Sequence, residues 1–179
     1  MPKTPLRFLD GLRRWCLGLL IGVASWQAAA AGPISSLRCT LALAAPVQAS
    51  GPVLLRMTLH NSGKDPLRVL TWGTPFEAGW LTAWAQLQWQ GQPVAYQGAQ
   101  VKRGEPSADE YLALAAGRKR HASADLAEAF DLTRPGHYEL RPQIMLHDVW
   151  VQAQRGARPR AQHQPMALHC TGLHFTRPD

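Results

Sequence analysis

Short segments in which apolar and polar residues alternate set the strongest limit on the fold of this chain. Residues 37–43 and 55–60 carry Leu, Cys or Met at every second position, and residues 83–90 repeat the pattern. Successive side chains of a strand point to opposite faces, so each segment predicts a strand with one buried face. The chain also has 15 Gly and 14 Pro, which break it between these segments. This pattern favours short antiparallel strands over a helical bundle.

The segment from Leu132 to Leu140 reads Leu-x-x-Pro-Gly-x-Tyr-x-Leu. Pro135–Gly136 breaks the chain before a strand in which Tyr138 and Leu140 face inward. A tyrosine at this place anchors the corner between the two sheets of immunoglobulin-like folds. We therefore predict an all-β, immunoglobulin-like antiparallel β-sandwich of about seven or eight strands. Its last strand is expected to carry Leu168 and Cys170.

Residues 1–31 have the organisation of a secretory signal peptide. Four basic residues and one acidic residue precede an apolar run from Cys16 to Trp26, and small residues follow. The run is too short to span a bilayer as a helix. We predict cleavage near Ala31 and one sandwich domain over 32–179, with an irregular insertion at about 147–163. The mature protein is expected to be periplasmic or secreted, without stable membrane insertion.

Removal of residues 1–31 changes how the charge and the cysteines are interpreted. The loss of four basic residues and one acidic residue lowers the formal net charge from +7 to +4. The remaining basic clusters, 118–120 and 155–160, are not interleaved with aromatic residues and are interpreted as solvated, so no nucleic-acid partner is expected. Cys39 and Cys170 remain, and an oxidising compartment favours a disulfide between them. The alternative is a metal site with His169 and His174.

The sequence lacks three motifs that mark common enzyme classes. It has no His-Glu-x-x-His stretch, no Gly-x-Ser-x-Gly elbow and no phosphate-binding Gly-rich loop. We therefore predict no catalytic residue, no bound metal and no cofactor. The alternative is an enzyme or metal carrier that uses His147, Asp148, His169 and His174.

Two segments broken by Gly and Pro are candidates for a binding surface. Residues 72–80 hold three large aromatic residues and an acid, and residues 98–111 are polar and of mixed charge. Long loops on a sandwich often carry the binding function. The candidate contact residues are Trp72, Phe76, Glu77, Trp80, Lys102, Arg103, Asp109 and Tyr111. The alternative is that the aromatic residues close the open end of the sandwich.

A series of segments over about residues 37–141 resembles one protein family. It includes Leu70-Thr-Trp-Gly-Thr-Pro-Phe-Glu77, Val101-Lys-Arg-Gly-Glu-Pro-Ser-Ala-Asp-Glu-Tyr111 and Phe130-Asp-Leu-Thr-Arg-Pro-Gly-His-Tyr138. They are similar to the non-catalytic region that precedes the zinc domain of bacterial deuterolysin-like (M35, peptidyl-Lys) metalloendopeptidases. The resemblance implies an immunoglobulin-like pro-region or accessory domain. No counterpart of the metallopeptidase domain follows, so protease activity is not expected.

These observations predict an exported, non-catalytic domain that binds a protein. The resemblance makes a secreted metalloprotease the first candidate partner, with this domain as its inhibitor or folding helper. Phe76 and Trp80 would then fill apolar pockets of the partner, and Lys102 would occupy a pocket that prefers lysine. The alternative function is a cell-envelope adhesion or scaffold module with no protease partner.

Overall fold

A computed structural model describes residues 36–152 and 155–179. The predicted signal peptide lies outside these residues. The described part of the chain forms twelve strands and short 3-10 turns. The strands are β1 (Leu37–Leu43), β2 (Leu54–Asn61), β3 (Leu67–Leu70), β4 (Ala85–Trp89), β5 (Gln92–Val94), β6 (Tyr111–Leu114), β7 (Lys119–Asp125), β8 (Gly136–Pro142), β9 (Ile144–Leu146), β10 (Val149–Val151), β11 (Met166–Leu168) and β12 (Leu173–Arg177).

Two antiparallel sheets form the sandwich and confirm the all-β prediction. The first sheet has the order β1-β2-β7, and the second has the order β12-β8-β4-β5. In the first sheet Cys39 pairs with Leu59, and in the second Leu87 pairs with Leu140. The twelve strands exceed the predicted seven or eight because several three- and four-residue strands lie outside these two sheets.

The core between the sheets is built from the alternating positions. On β2, Leu55, Met57 and Leu59 are fully buried, as the period of two predicts. They belong to one apolar cluster with Leu87 on β4 and Leu140 on β8. Burial of such side chains is the main contribution to folding free energy, so this cluster fixes how the two sheets face each other.

The corner before β8 follows the expected pattern. The hydroxyl of Tyr138 donates a hydrogen bond to the carbonyl oxygen of Arg134 at 2.7 Å, and its ring stacks on Phe175 of β12. Gly136 adopts φ +123°, and an added Cβ would lie 2.9 Å from Nε2 of Gln90. Glycine is therefore required there. The tyrosine corner predicted from the sequence is present.

A third sheet, with the order β10-β3-β6, lies beside the sandwich. All four residues of β3 are buried. Leu67 and Val69 join the main core, whereas Leu70 joins a second cluster with Trp72 and Tyr111. Hydrophobic residues on both faces of a strand mean that both faces are covered. A period of two does not predict the second layer that covers this strand.

A disulfide joins Cys39 and Cys170, whose Cα atoms are 4.9 Å apart. Cys39 lies on β1, but Cys170 lies in the loop between β11 and β12. The expected last strand with Leu168 and Cys170 is therefore wrong. Leu168 ends β11, which pairs with β9, and β12 is the final strand. The bridge fastens the first strand to the loop before the last one.

Candidate functional site

Three segments meet beside the third sheet and form what we call the three-loop surface: residues 72–80, residues 98–111, and residues 147–152 with 155–165. The first follows β3, the second leads into β6, and the third contains β10, so the order β10-β3-β6 brings all three together. The N–H of Thr71 donates to the carbonyl of Glu110, and the N–H of Leu70 donates to the carbonyl of Asp148. Both predicted loops therefore lie on one surface.

The aromatic residues of the first loop are mostly internal. Trp80 is 4% exposed, stacks on Trp84 with ring centroids 4.1 Å apart, and donates its indole N–H to the carbonyl of Asp125. Phe76 is partly buried against the main core. The expectation that Trp80 fills a pocket of a partner is not compatible with this burial. Trp80 instead packs in the main core, where its ring also meets that of Phe130 edge-on.

Trp72 connects the first and second loops. Its indole N–H donates to Oε1 of Glu110 at 2.7 Å, while Oε2 of Glu110 accepts from the N–H of Ser107 at 2.7 Å. Burial alone would raise the pKa of Glu110, but these hydrogen bonds, with one from the Ser107 hydroxyl, outweigh it and hold that pKa below its ordinary value. The carboxylate thus serves as a charged anchor for both loops.

Glu77 and Arg103 form an ion pair between the same loops. Glu77 also accepts from the N–H of Gly73 at 3.1 Å, and the guanidinium of Arg103 lies 5.5 Å from the ring centre of Trp72. Two residues predicted as partner contacts therefore contact each other. Their ion pair joins the first loop to the second, whereas Lys102 and Asp109 are exposed to solvent.

Tyr111 and Asp148 connect the second and third loops. Asp148 is fully buried, and its Oδ2 accepts from the Tyr111 hydroxyl at 3.0 Å. Its Oδ1 faces Nη1 of Arg158 at 3.7 Å. Burial, with the neighbouring Asp148 carboxylate, raises the pKa of Tyr111 to about 12. A buried carboxylate needs such a donor and cation, so this pair fixes the third loop against β6.

A small cavity of about 170 Å³ opens at the centre of the three-loop surface. Its lining residues are Trp72, Arg103, His147, Arg160, His163 and Pro165. Four of these six side chains are basic and none is acidic. Burial, and then the positive charges of His163, Arg160 and Arg103, lower the pKa of His147. The cavity is thus a positively polarised site.

The third loop was interpreted from the sequence as an irregular insertion with solvated charge. In its described part it holds β10 and a 3-10 turn at Arg160–Gln162. Arg160 binds the second loop through its Nη1, which donates to the carbonyl of Arg103 at 2.6 Å, and through its N–H, which donates to Glu105. One sequence signal was available: Asp148 precedes the apolar run Val149–Val151, and an acid that is buried in such a segment needs a partner.

The metal alternative finds no support in the geometry. Across residues 36–152 and 155–179, no three His, Cys, Asp or Glu side chains lie close enough together to hold a metal ion. His169 and His174 are exposed, while Cys39 and Cys170 are bonded to each other. Within the same residues, no helix is long and apolar enough to cross a membrane.

No family model matches this chain. Over 115 residues, 62% of its length, the chain is 32% identical to an extracellular protease of Aeromonas hydrophila. The matched part is 33% of that protease, so this chain spans about a third of its length. The chain is therefore similar to one part of an extracellular protease, and the narrower resemblance to the M35 region stays a prediction.

Proposed function

We propose that this chain is an exported, non-catalytic β-sandwich that binds a protein partner, with a secreted metalloprotease as the first candidate. Residues 1–31 would be removed on export, leaving a domain over 32–179 in the periplasm or outside the cell. The similarity to part of an extracellular protease carries the proposal. The disulfide also fits an oxidising compartment.

The partner would contact the exposed edge of the three-loop surface. Lys102 and Asp109 of the second loop are exposed, and Phe76 of the first loop is partly exposed. Hydrogen bonds, first from the Ser107 hydroxyl, lower the pKa of Asp109, so this carboxylate is ionised at neutral pH. The ion pair of Glu77 and Arg103 holds the loops in place beneath these side chains. A pre-ordered surface loses less conformational entropy on binding.

The test uses the full chain, exported and purified, against a lysine-specific metalloendopeptidase. Binding is measured directly, and residual protease activity distinguishes an inhibitor from a folding helper. Lys102→Ala and Lys102→Glu should weaken binding by about tenfold or more. Lys64→Ala, an exposed lysine in the turn after β2, is the matched control and should have no effect. Equal affinity of all four proteins would contradict the proposal.

A pull-down from secreted and periplasmic fractions tests the wider statement that the domain binds a protein. Phe76→Ala should reduce the yield of the partner, and thermal unfolding checks that the variant is folded. Capture of an envelope component and no protease would favour the adhesion or scaffold function instead.

A further inference from the structure

We propose that the cavity lined by Arg103, Arg160, His147 and His163 binds a carboxylate of a peptide, either a C-terminus or an Asp or Glu side chain. This inference rests on the proposed function in one respect, since a protein partner would carry the carboxylate. The cavity itself is described by geometry alone, and its ligand can be tested without any partner protein.

The size of the cavity limits what can enter it. Its volume of about 170 Å³ is below the range of about 300–1,000 Å³ that is typical of sites for cofactors and drug-sized molecules. A water molecule takes up about 30 Å³ of liquid, so the cavity has room for a group of a few heavy atoms. One carboxylate with its adjoining carbon atoms matches this volume.

The charge of the lining selects an anion. The nearby acids are already bound: Glu77 pairs with Arg103, and Glu105 accepts from the backbone N–H of Arg160 at 2.9 Å. On the guanidinium of Arg160, Nη1 donates to the carbonyl of Arg103, and the other nitrogens have no hydrogen-bond partner among the described residues. A planar guanidinium with free donors matches a carboxylate in geometry and charge.

The walls favour a carboxylate attached to carbon over a free inorganic anion. Trp72 and Pro165 are the two lining residues without a charge, and they add apolar surface beside the basic groups. The rings of His147 and His163 contact the Trp72 indole edge-on, at 6.2 and 6.4 Å between ring centres. An amino-acid residue presents both a charged end and a hydrocarbon part, whereas phosphate presents only the charged part.

The experiment titrates the full chain with three N-acetylated trialanine-based probes and follows the histidine ring signals by NMR. The first probe has a free C-terminal carboxylate, the second is its C-terminal amide, and the third is the amide with a central Glu. We expect the first or third probe to bind and the second not to bind. Whichever acid binds more tightly identifies the source of the carboxylate.

A bound carboxylate should also raise the pKa of His147. The charged groups that face this ring are Arg103, Arg160, His163 and Glu77, and the net positive potential of this set is what the ligand would offset. The amide probe should leave that pKa unchanged.

Arg160→Gln should weaken binding of the acidic probe by about tenfold or more, and Arg160→Lys by less, because lysine keeps the charge without the planar donors. Arg118→Gln removes an equal charge from an exposed turn outside the cavity and should have no effect. Equal binding of acid and amide, or tighter binding of inorganic phosphate than of either acid, would overturn the inference.

These outcomes separate the inference from the proposed function. Binding of an acidic probe without capture of any protein supports the cavity and contradicts the protein partner. Capture of a protein that is unaffected by Arg160→Gln, with no probe binding, contradicts the cavity alone.

Discussion

The sandwich and the third sheet of this molecule differ in the polar groups that they bury. The core between the two sheets of the sandwich is apolar, with Leu55, Met57, Leu59 and Leu140 fully buried. Around β3, β6 and β10 the buried set includes an aspartate and an arginine, Asp148 and Arg68. Apolar burial is non-directional, whereas a buried charge depends on particular hydrogen-bond and ion-pair partners. The sandwich is therefore expected to lose most stability when apolar volume is removed, and the third sheet when one polar partner is removed.

The disulfide provides the largest test of what stabilises the sandwich. The double change Cys39→Ala and Cys170→Ala opens a loop closed over 131 residues of sequence separation. In the chain-entropy model this lowers the free energy of unfolding by about 5 kcal/mol. Urea unfolding measures the loss, and the reduced wild-type protein is the control. A loss below about 1 kcal/mol would show that the bridge does not act by restricting the unfolded chain.

A pair of leucine truncations compares the two apolar clusters directly. Leu59→Ala leaves a cavity between the two sheets and should cost about 2–5 kcal/mol. Leu70→Ala, equally buried but in the small cluster with Trp72 and Tyr111, should fall at the low end of that range because fewer buried neighbours surround it. Chemical denaturation gives both values. If Leu70→Ala lowered the free energy of unfolding more than Leu59→Ala, the smaller cluster would be the more important one for stability.

Two tyrosine-to-phenylalanine changes compare the polar contacts of the same regions. Tyr138→Phe removes a hydrogen bond to a neutral carbonyl and should cost about 0.5–1.5 kcal/mol. Tyr111→Phe leaves the buried Asp148 without its hydroxyl donor and should cost about 1–3 kcal/mol. Hydrogen exchange should place the second effect in β10 and residues 155–165. Equal, uniform losses would mean that the third sheet unfolds together with the sandwich.

The same division explains what the sequence predicted. Alternation identified β1, β2, β4 and β8, because a half-buried strand needs a period of two, and the Tyr138 corner depends on residues close in sequence. Asp125 caps the 3-10 turn that follows β7, since its Oδ1 accepts from the N–H of Ala127 at 3.0 Å.

The third sheet and the cavity could not be predicted in the same way. Tyr111 and Asp148 are 37 residues apart, and Arg160 and Arg103 are 57 apart. The periodicity of the sequence does not identify contacts between residues so far apart. It also does not distinguish a buried arginine from an exposed one. The basic cluster of Arg155, Arg158 and Arg160 was thus assigned to solvent, although Arg158 and Arg160 contact Asp148 and the second loop. Trp72 and Trp80 were candidate contact residues because they are large aromatic residues in a loop. Their burial depends on how the strands pair, which the residue type does not show.

The last prediction concerns alkaline pH and distinguishes the two tyrosine environments. Burial raises the pKa of all three tyrosines of the chain, Tyr96, Tyr111 and Tyr138, and that of Tyr111 reaches about 12. Because the pKa of Tyr111 is higher in the folded than in the unfolded chain, the neutral hydroxyl stabilises the fold. This contribution is complete below the unfolded pKa, near pH 10, and is lost as the pH rises towards about 12. Stability should therefore fall over that window, and less steeply in Tyr111→Phe than in Tyr138→Phe. Phenolate absorbance against pH, with unfolding followed in parallel, measures this.

Because the Tyr111 hydroxyl donates to a carboxylate and the Tyr138 hydroxyl to a carbonyl, Tyr111 should ionise last. Ionisation of Tyr111 at the pH of an exposed phenol would mean that Asp148 does not hold this hydroxyl in solution.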